Sequence, residues 1–324
     1  MADDHTGVGR AAFDQGRLGA ASDPSLKGKV SEAEWKVRVE LAALYRLVAL
    51  HGWDDMIFTH ISARIPGPEH QFLINPYGLF FGEMTASALV KIDLEGNILQ
   101  QTPYFINPAG FTIHSAIHAA RDDAHFVMHL HSDQGVAVAA QAEGLLPLSQ
   151  HALVVLPRLA YHDYEGIALN LDERERLVAD LGDKSLLLLR NHGTLAVGST
   201  AAECWVGMFY LERACKQQVM ALSGGRDKVL MAPQASILEV KSQVSRGMEP
   251  IGRLAWPGCL RQLDRESPGY DVCRPPTWGA AGAGRRDRTA ILSLEGCCTT
   301  IVLYPQAMTT AGVVGEAGLE PAKA

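Results

Sequence analysis

The chain has 324 residues, of which 47% are hydrophobic and 20% charged, and it carries a formal net charge of −7. This is the composition of a soluble globular protein with room for one large domain or two small ones. Its acidic balance, without a basic stripe, argues against nucleic acid or an anionic membrane as a partner. The six cysteines all lie beyond residue 203 and form no C-x-x-C pair, which excludes a secreted disulfide framework and a zinc ribbon. The opening MADDHTGVGR lacks the apolar segment of a signal peptide. The longest aliphatic run, residues 186–189, is far shorter than the ~20 residues a membrane helix needs. The expected location is the cytoplasm.

Residues 1–30 are polar and aperiodic and read as a disordered arm. Order is expected from Ser31, which with Glu34 fits a capping box. Val37, Leu41, Leu44, Tyr45 and Val48 then follow helical spacing until Gly52. Strands are expected at 57–65, 72–74 and 90–93. A helix follows Asn107-Pro108-Ala109-Gly110 and runs to about Ala120, with Ile113, Ile117, His114 and His118 on its face. Beyond it come a strand at 126–131, a helix at 136–142, a charged helix at 172–181, a buried leucine strand at 186–189 and a strand around 195–197. Helices at about 200–222 and 235–247 complete the core. Strands and helices mix throughout without an internal repeat, which predicts one α/β domain over 31–250. Residues 251–324 read as a poorly ordered C-terminal extension. From about Cys273 onward they resemble no continuation of the core, and the neighbours Cys297 and Cys298 carry no assigned chemistry.

Two short motifs carry chemistry. In His129-Leu130-His131, a strand would place both imidazoles on one face. In Asn191-His192-Gly193, a polar ring leaves a buried strand at a sharp glycine turn, where α/β folds place ligands. Each alone has a bland explanation: an incidental H-x-H, or a histidine capping a strand end. Together they supply three neutral imidazoles, enough to hold a tetrahedral ion and leave one position open for a carbonyl, water or dioxygen. His114 and His118 either line a surface or subunit contact, or His114 supplies a proton near the metal. Tyr161-His162-Asp163-Tyr164-Glu165 is either a tight hydrogen-bonded loop or an active-site loop, with Tyr164 or Glu165 as proton donor to a neighbouring subunit. The run Glu173-Arg174-Glu175-Arg176 reads as a solvated helix face.

From Trp35 to about Gly225 the chain resembles the class II aldolase/adducin family. The matching stretches are FTHISARIP, FLINPYG, TASALVKID, NPAGFTIHSAIHAARDD, VMHLH, AYHDYEG and LRNHGTLAVG. The resemblance implies a three-layer domain with a central mixed sheet flanked by helices, and a catalytic divalent metal, zinc before iron(II) or manganese(II), on His129, His131 and His192. It also implies a homotetramer acting on a small-molecule substrate. The departures are informative. Sugar-phosphate members carry a general acid/base carboxylate at the start of the helix before the H-x-H, and ungapped counting puts that position at Gly110. Their Ser-Ser phosphate grip is missing. Their G-N-x-S is Thr59-His60-Ile61-Ser62 here, and their T-P-S-G is Asn75-Pro76-Tyr77-Gly78. These replacements resemble the adducin head and its bacterial relatives.

The expected function is therefore a metal-dependent aldolase-type lyase for an unphosphorylated carbonyl or hydroxy acid, with its proton carrier unassigned. Two alternatives stand beside it. One is a non-haem iron oxidative decarboxylase of an aromatic keto acid; the other is a non-catalytic, adducin-like interaction module.

Overall fold

Ser31 opens the first helix, α1 (Glu32–Leu50), and its hydroxyl accepts a 3.1 Å bond from the Glu34 amide. Only this half of the expected capping box forms. The Glu34 carboxylate turns inward instead, 2.8 Å from the Arg38 guanidinium and 3.0 Å from Lys91. Leu41, Leu44, Leu47 and Val48 make the apolar stripe and are fully buried. The computed structural model describes residues 25–166, 172–244 and 249–272, all within one compact unit. Of the expected N-terminal arm, residues 1–24 lie outside the described residues. Leu26, in a short turn at Leu26–Gly28, is buried.

Seven strands build one sheet: β1 (His60–Arg64), β2 (Phe72–Ile74), β3 (Val90–Ile92), β4 (Phe126–Leu130), β5 (Leu159–His162), β6 (Leu186–Leu189) and β7 (Gly193–Gly198). Their order is β3-β2-β1-β4-β7-β6-β5. All neighbours are antiparallel except β5 and β6, so the sheet is mixed. β1 is shorter than the expected 57–65 because Met56 and Thr59 adopt positive φ (52° and 64°) around a tight bridge from Asp55 to Phe58. The Tyr45 hydroxyl fastens β1 to β2, accepting from the Ile61 and Asn75 amides at 2.7 and 3.1 Å.

The remaining helices are α2 (Pro108–Ala120), α3 (Asp133–Ala139), α4 (Gln150–Val155), α5 (Glu173–Leu181), α6 (Ala201–Leu222), α7 (Gln234–Gln243) and α8 (Glu249–Glu266). The alternation of strand residues assigns the layers. Ile61, Met128, Leu130, Leu188 and Ala196 pack with α1, α3, α4 and α6 in a large core. Val127, Leu187, Leu189, Leu195 and Val197 pack with Ile113 and Ile117 of α2 and Leu177 and Leu181 of α5 in a smaller one. The three-layer mixed α/β fold implied by the resemblance is the fold observed.

The domain was expected to end at residue 250. α8 begins there and packs on the domain: Leu263 is fully buried, and any Cβ at Gly252 would fall 2.7 Å from the Ala202 carbonyl. The chain after it is tied in as well, through Arg46 to the Pro268 carbonyl (2.7 Å) and the Ala86 amide to the Tyr270 carbonyl (2.9 Å). Sequence periodicity gave no warning, because Pro257 and several polar residues interrupt the helical pattern. Residues 273–324 lie outside the described residues.

The buried ion network around Arg38 gives a stability prediction. Arg38 is fully buried and also donates to the Leu89 carbonyl at 2.9 Å and the Gln100 side chain at 2.6 Å. Glu34→Ala leaves that cation without its carboxylate, and should lower unfolding free energy by about 3–5 kcal/mol in denaturant titrations. A loss below about 1 kcal/mol would show that the carbonyls alone hold the charge.

Candidate metal centre

The end of β4 and the β6–β7 turn are neighbours in the sheet, and this brings the two sequence motifs together. His129 leads toward the α2 side of the sheet, as Val127 does, and His131 follows it just past the strand end. His192 closes a three-residue turn with Asn191 at φ 55°. Gly193 is required there: a Cβ would lie 2.3 Å from the Leu130 carbonyl and 3.3 Å from the His129 ring. One ligand nitrogen from each of His129, His131 and His192 lies within 4.8 Å of the other two, and this is the metal-capable group found among the described residues.

Hydrogen bonds fix which nitrogen each ring offers. His129 Nδ1 donates to the Thr194 carbonyl at 3.0 Å, and His131 Nδ1 faces the Asp55 carboxylate at 3.1 Å. Both partners accept, so both Nδ1 atoms carry a proton, and in the neutral rings both Nε2 atoms present lone pairs. These two Nε2 atoms stand 3.0 Å apart. Two facing lone pairs repel unless a cation lies between them. Two nitrogens on a tetrahedral zinc ion stand roughly 3.3 Å apart at zinc–nitrogen distances of about 2.0–2.1 Å. The donor set and its spacing therefore fit a borderline divalent cation, with Asp55 and the Thr194 carbonyl as the outer partners that orient the rings.

Burial keeps two of the rings, His129 and His192, neutral. His129 is held well below the ordinary imidazole range by burial first, then by His192, His131 and His60. His192 is pushed down to about 4 by burial, then by His131 and His162. A neutral ring binds metal without first losing a proton.

Two further histidine groups surround the triad. The His60 ring lies 5.1 Å from that of His129, its register partner across β1 and β4. It is buried and pushed down to about 3, by burial first and then by His131 and His192. Behind it stand His114 and His118 of α2. Both are fully or almost fully buried, so neither lines a surface. His114 is engaged at both nitrogens, by His60 (2.8 Å) and by the Ser62 hydroxyl, and reaches the metal centre only through His60. At Gly110 there is no carboxylate and no space for one, because a Cβ would lie 2.5 Å from His60 Cδ2.

The polar run 161–165 divides. Tyr161 and His162 belong to β5. His162 binds Asp180 at 2.7 Å and Glu173 at 3.4 Å, tying α5 to the sheet. Glu165 pairs with Arg176 at 2.6 Å. Tyr164 is exposed, its ring 6.3 Å from that of His192 in the same chain. Sequence reasoning missed His60 and Asp55 as site residues. The signal for His60 lies in the β1–β4 register and in its place within the altered G-N-x-S stretch, whereas Asp55 lies in the turn before β1, which has no linear motif.

Comparison with known proteins accords with this geometry. The model of the "Class II Aldolase and Adducin N-terminal domain" matches residues 39–219. A Caulobacter vibrioides protein described as a "putative aldolase class 2 protein" is 79% identical over 252 residues, which cover 78% of this chain and 98% of that one. The crystal structure of an aldolase II superfamily protein from Pseudomonas syringae superposes with a TM-score of 0.73 at 50% identity, over 76% of this chain and 99% of that one. An L-fuculose 1-phosphate aldolase from Glaciozyma antarctica superposes with a TM-score of 0.63 at 26% identity, over 73% and 92% of the two chains.

Proposed function

Because the chain belongs to the class II aldolase and adducin family, we propose that this aldolase-like lyase works with one divalent cation, zinc first, on His129, His131 and His192. Its substrate is a small unphosphorylated carbonyl or hydroxy acid. The convergence of three imidazoles with their Nδ1 or burial environment arranged for metal binding is the observation that supports the reading most. Bound there, the cation would polarise a substrate carbonyl and so ease the making or breaking of the neighbouring carbon–carbon bond.

The protein's own residues do the rest. Thr194 and Asp55 hold two of the rings in their binding tautomer. The Thr194 side chain is itself anchored by Glu212 at 2.7 Å, whose carboxyl is raised by burial. Tyr164 borders the open side next to His192. The missing Ser-Ser pair and the altered G-N-x-S stretch leave no recognisable phosphate grip, which supports the unphosphorylated substrate. The working form in this reading is a homo-oligomer in the cytoplasm. Exposed Leu230, Leu238 and Leu254 offer apolar surface for association. No helix among the described residues is long and apolar enough to cross a membrane.

The test is elemental analysis of the purified protein followed by a screen of zinc- and iron-loaded samples. The panel holds short aldehydes, hydroxy ketones and 2-keto acids, each beside its phosphate ester where one exists. Aldol cleavage or condensation of an unphosphorylated compound without oxygen uptake is the expected result. Turnover confined to phosphate esters would overturn the substrate class. Oxygen consumption by the iron form with keto acids would replace the lyase by an oxidative decarboxylase.

A further inference from the structure

A chain of hydrogen bonds runs behind the metal centre from the Ala124 carbonyl to His60, and it determines every proton position along the way. A carbonyl only accepts, so His118 Nδ1, 2.9 Å from Ala124 O, is the donor. His118 is buried and pushed down to about 3, by burial first, so the ring is neutral and its Nε2 accepts. The Ser62 hydroxyl, 2.7 Å away, must then donate its single proton to that Nε2. Having no second proton, Ser62 Oγ accepts from His114 Nδ1. His114, also kept neutral by burial, presents its Nε2 as acceptor, and His60 Nδ1 donates to it at 2.8 Å. With Nδ1 used as the donor, the neutral form of His60 has its lone pair on Nε2.

The position of that nitrogen matters. It lies 3.1 Å from where a Cβ on residue 110 would be, with the ring's Cδ2 and Cγ closer still at 2.5 and 2.8 Å. His60 thus fills the space from which a side chain at position 110 would emerge. Its ring is 5.1 Å from the His129 ring.

We propose that His60 is a ligand-binding residue of the metal centre, and that its Nε2, fixed as an acceptor by the Ala124–His118–Ser62–His114 chain, takes a hydrogen bond from the hydroxyl of a bound hydroxy-carbonyl compound. This rests on the metal-site reading above and names the polar group that replaces a side chain at position 110. It selects substrates with a hydroxyl beside the coordinating carbonyl over simple ketones. Ser62, His114 and His118 are positioning residues that act through His60.

The test begins with the unaltered protein. Long-range proton–nitrogen NMR of the histidine rings should show His118, His114 and His60 all protonated at Nδ1. Adding hydroxyacetone to the zinc-loaded protein should shift the His60 Nε2 resonance, whereas acetone should not. His60→Asn keeps a donor toward His114, but its shorter side chain places no acceptor where Nε2 stands. It should bind one zinc and lose roughly tenfold in hydroxyacetone affinity, with acetone affinity unchanged. Ser62→Ala cuts the chain and should leave His60 in a mixture of tautomers. A His60 protonated at Nε2 overturns the proposal, as does hydroxyacetone binding to zinc-loaded protein without a His60 shift. If the protein takes up no zinc, the metal-site reading fails, and the tautomer of His60 still decides whether the acceptor exists.

Discussion

His129→Ala is expected to weaken zinc binding by about 10²–10⁴-fold and to leave protein purified without added metal close to metal-free. Structural zinc in zinc-finger peptides binds with apparent free energies of about 10–16 kcal/mol at neutral pH, and on that scale one of three imidazoles contributes roughly 3–5 kcal/mol. In the proposed site His129 is the buried ring, clasped at Nδ1 by Thr194 and flanked by His131, His192 and His60. Asp55→Asn should act in the same direction but less, roughly 10–100-fold, because it loosens the orientation of His131 without removing a nitrogen. Both variants should keep the circular dichroism of the native chain, since α/β packing on either face of the sheet does not pass through the ligands. Competition with a chromophoric chelator gives the affinities. A His129→Ala protein that retains one equivalent of tightly held metal would remove this residue from the site.

The metal-free protein should also lose stability steeply between pH 6.5 and 4.5. His60 and His118 are pushed down to about 3, and His114 lies well below the ordinary value, burial being the main cause for each. In the unfolded chain the same rings titrate near 6.5. Below that pH the unfolded state binds protons that the folded state refuses, so stability falls as pH falls; above it both states are neutral and the effect vanishes. Each ring costs up to about 1.4 kcal/mol per pH unit, and three together about 4 kcal/mol per unit. Against a total of about 5–15 kcal/mol for a typical domain, two units suffice to unfold much of the protein. Guanidinium titrations at pH 7.5, 6, 5.5 and 5, followed by tryptophan fluorescence, measure the slope. An unfolding free energy constant over this range would mean the three rings are solvated or already charged. Zinc should blunt the loss at the upper end of the window by binding only the folded state.

The two histidine motifs were legible because each is local: an i, i+2 pair on a strand and a ring at a glycine turn. The strands around them were legible too, since residues 72–74, 90–92 and 186–189 are short apolar runs bounded by turn residues. What was not legible depended on partners distant in sequence. Glu34 fits a capping box by spacing, yet Arg38 and Lys91 draw its carboxylate inward. His60 read as a strand residue in the altered G-N-x-S stretch, and only the pairing of β1 with β4 set it beside His129. Gly110 read as a missing acid, and only the placement of the His60 ring shows that a side chain there has nowhere to go. α8 was hidden by its proline and its polar face, because its apolar contacts are with α6 and α1 rather than within itself.

The turn between β6 and β7 has just three residues, and each end is stapled: the Arg190 amide to the His162 carbonyl at 2.8 Å, the His192 amide to the Leu189 carbonyl at 3.0 Å. A loop this short, spanning two paired strands, has no slack with which to swing its histidine away or draw it in. The ordering of His192, the proposed third ligand, is therefore completed during folding, before any ion arrives. Uptake should proceed at the rate set by the ion's own water exchange, the empty and loaded forms should superpose within ordinary thermal motion, and cations too large for the fixed spacing should be rejected by geometry rather than accommodated.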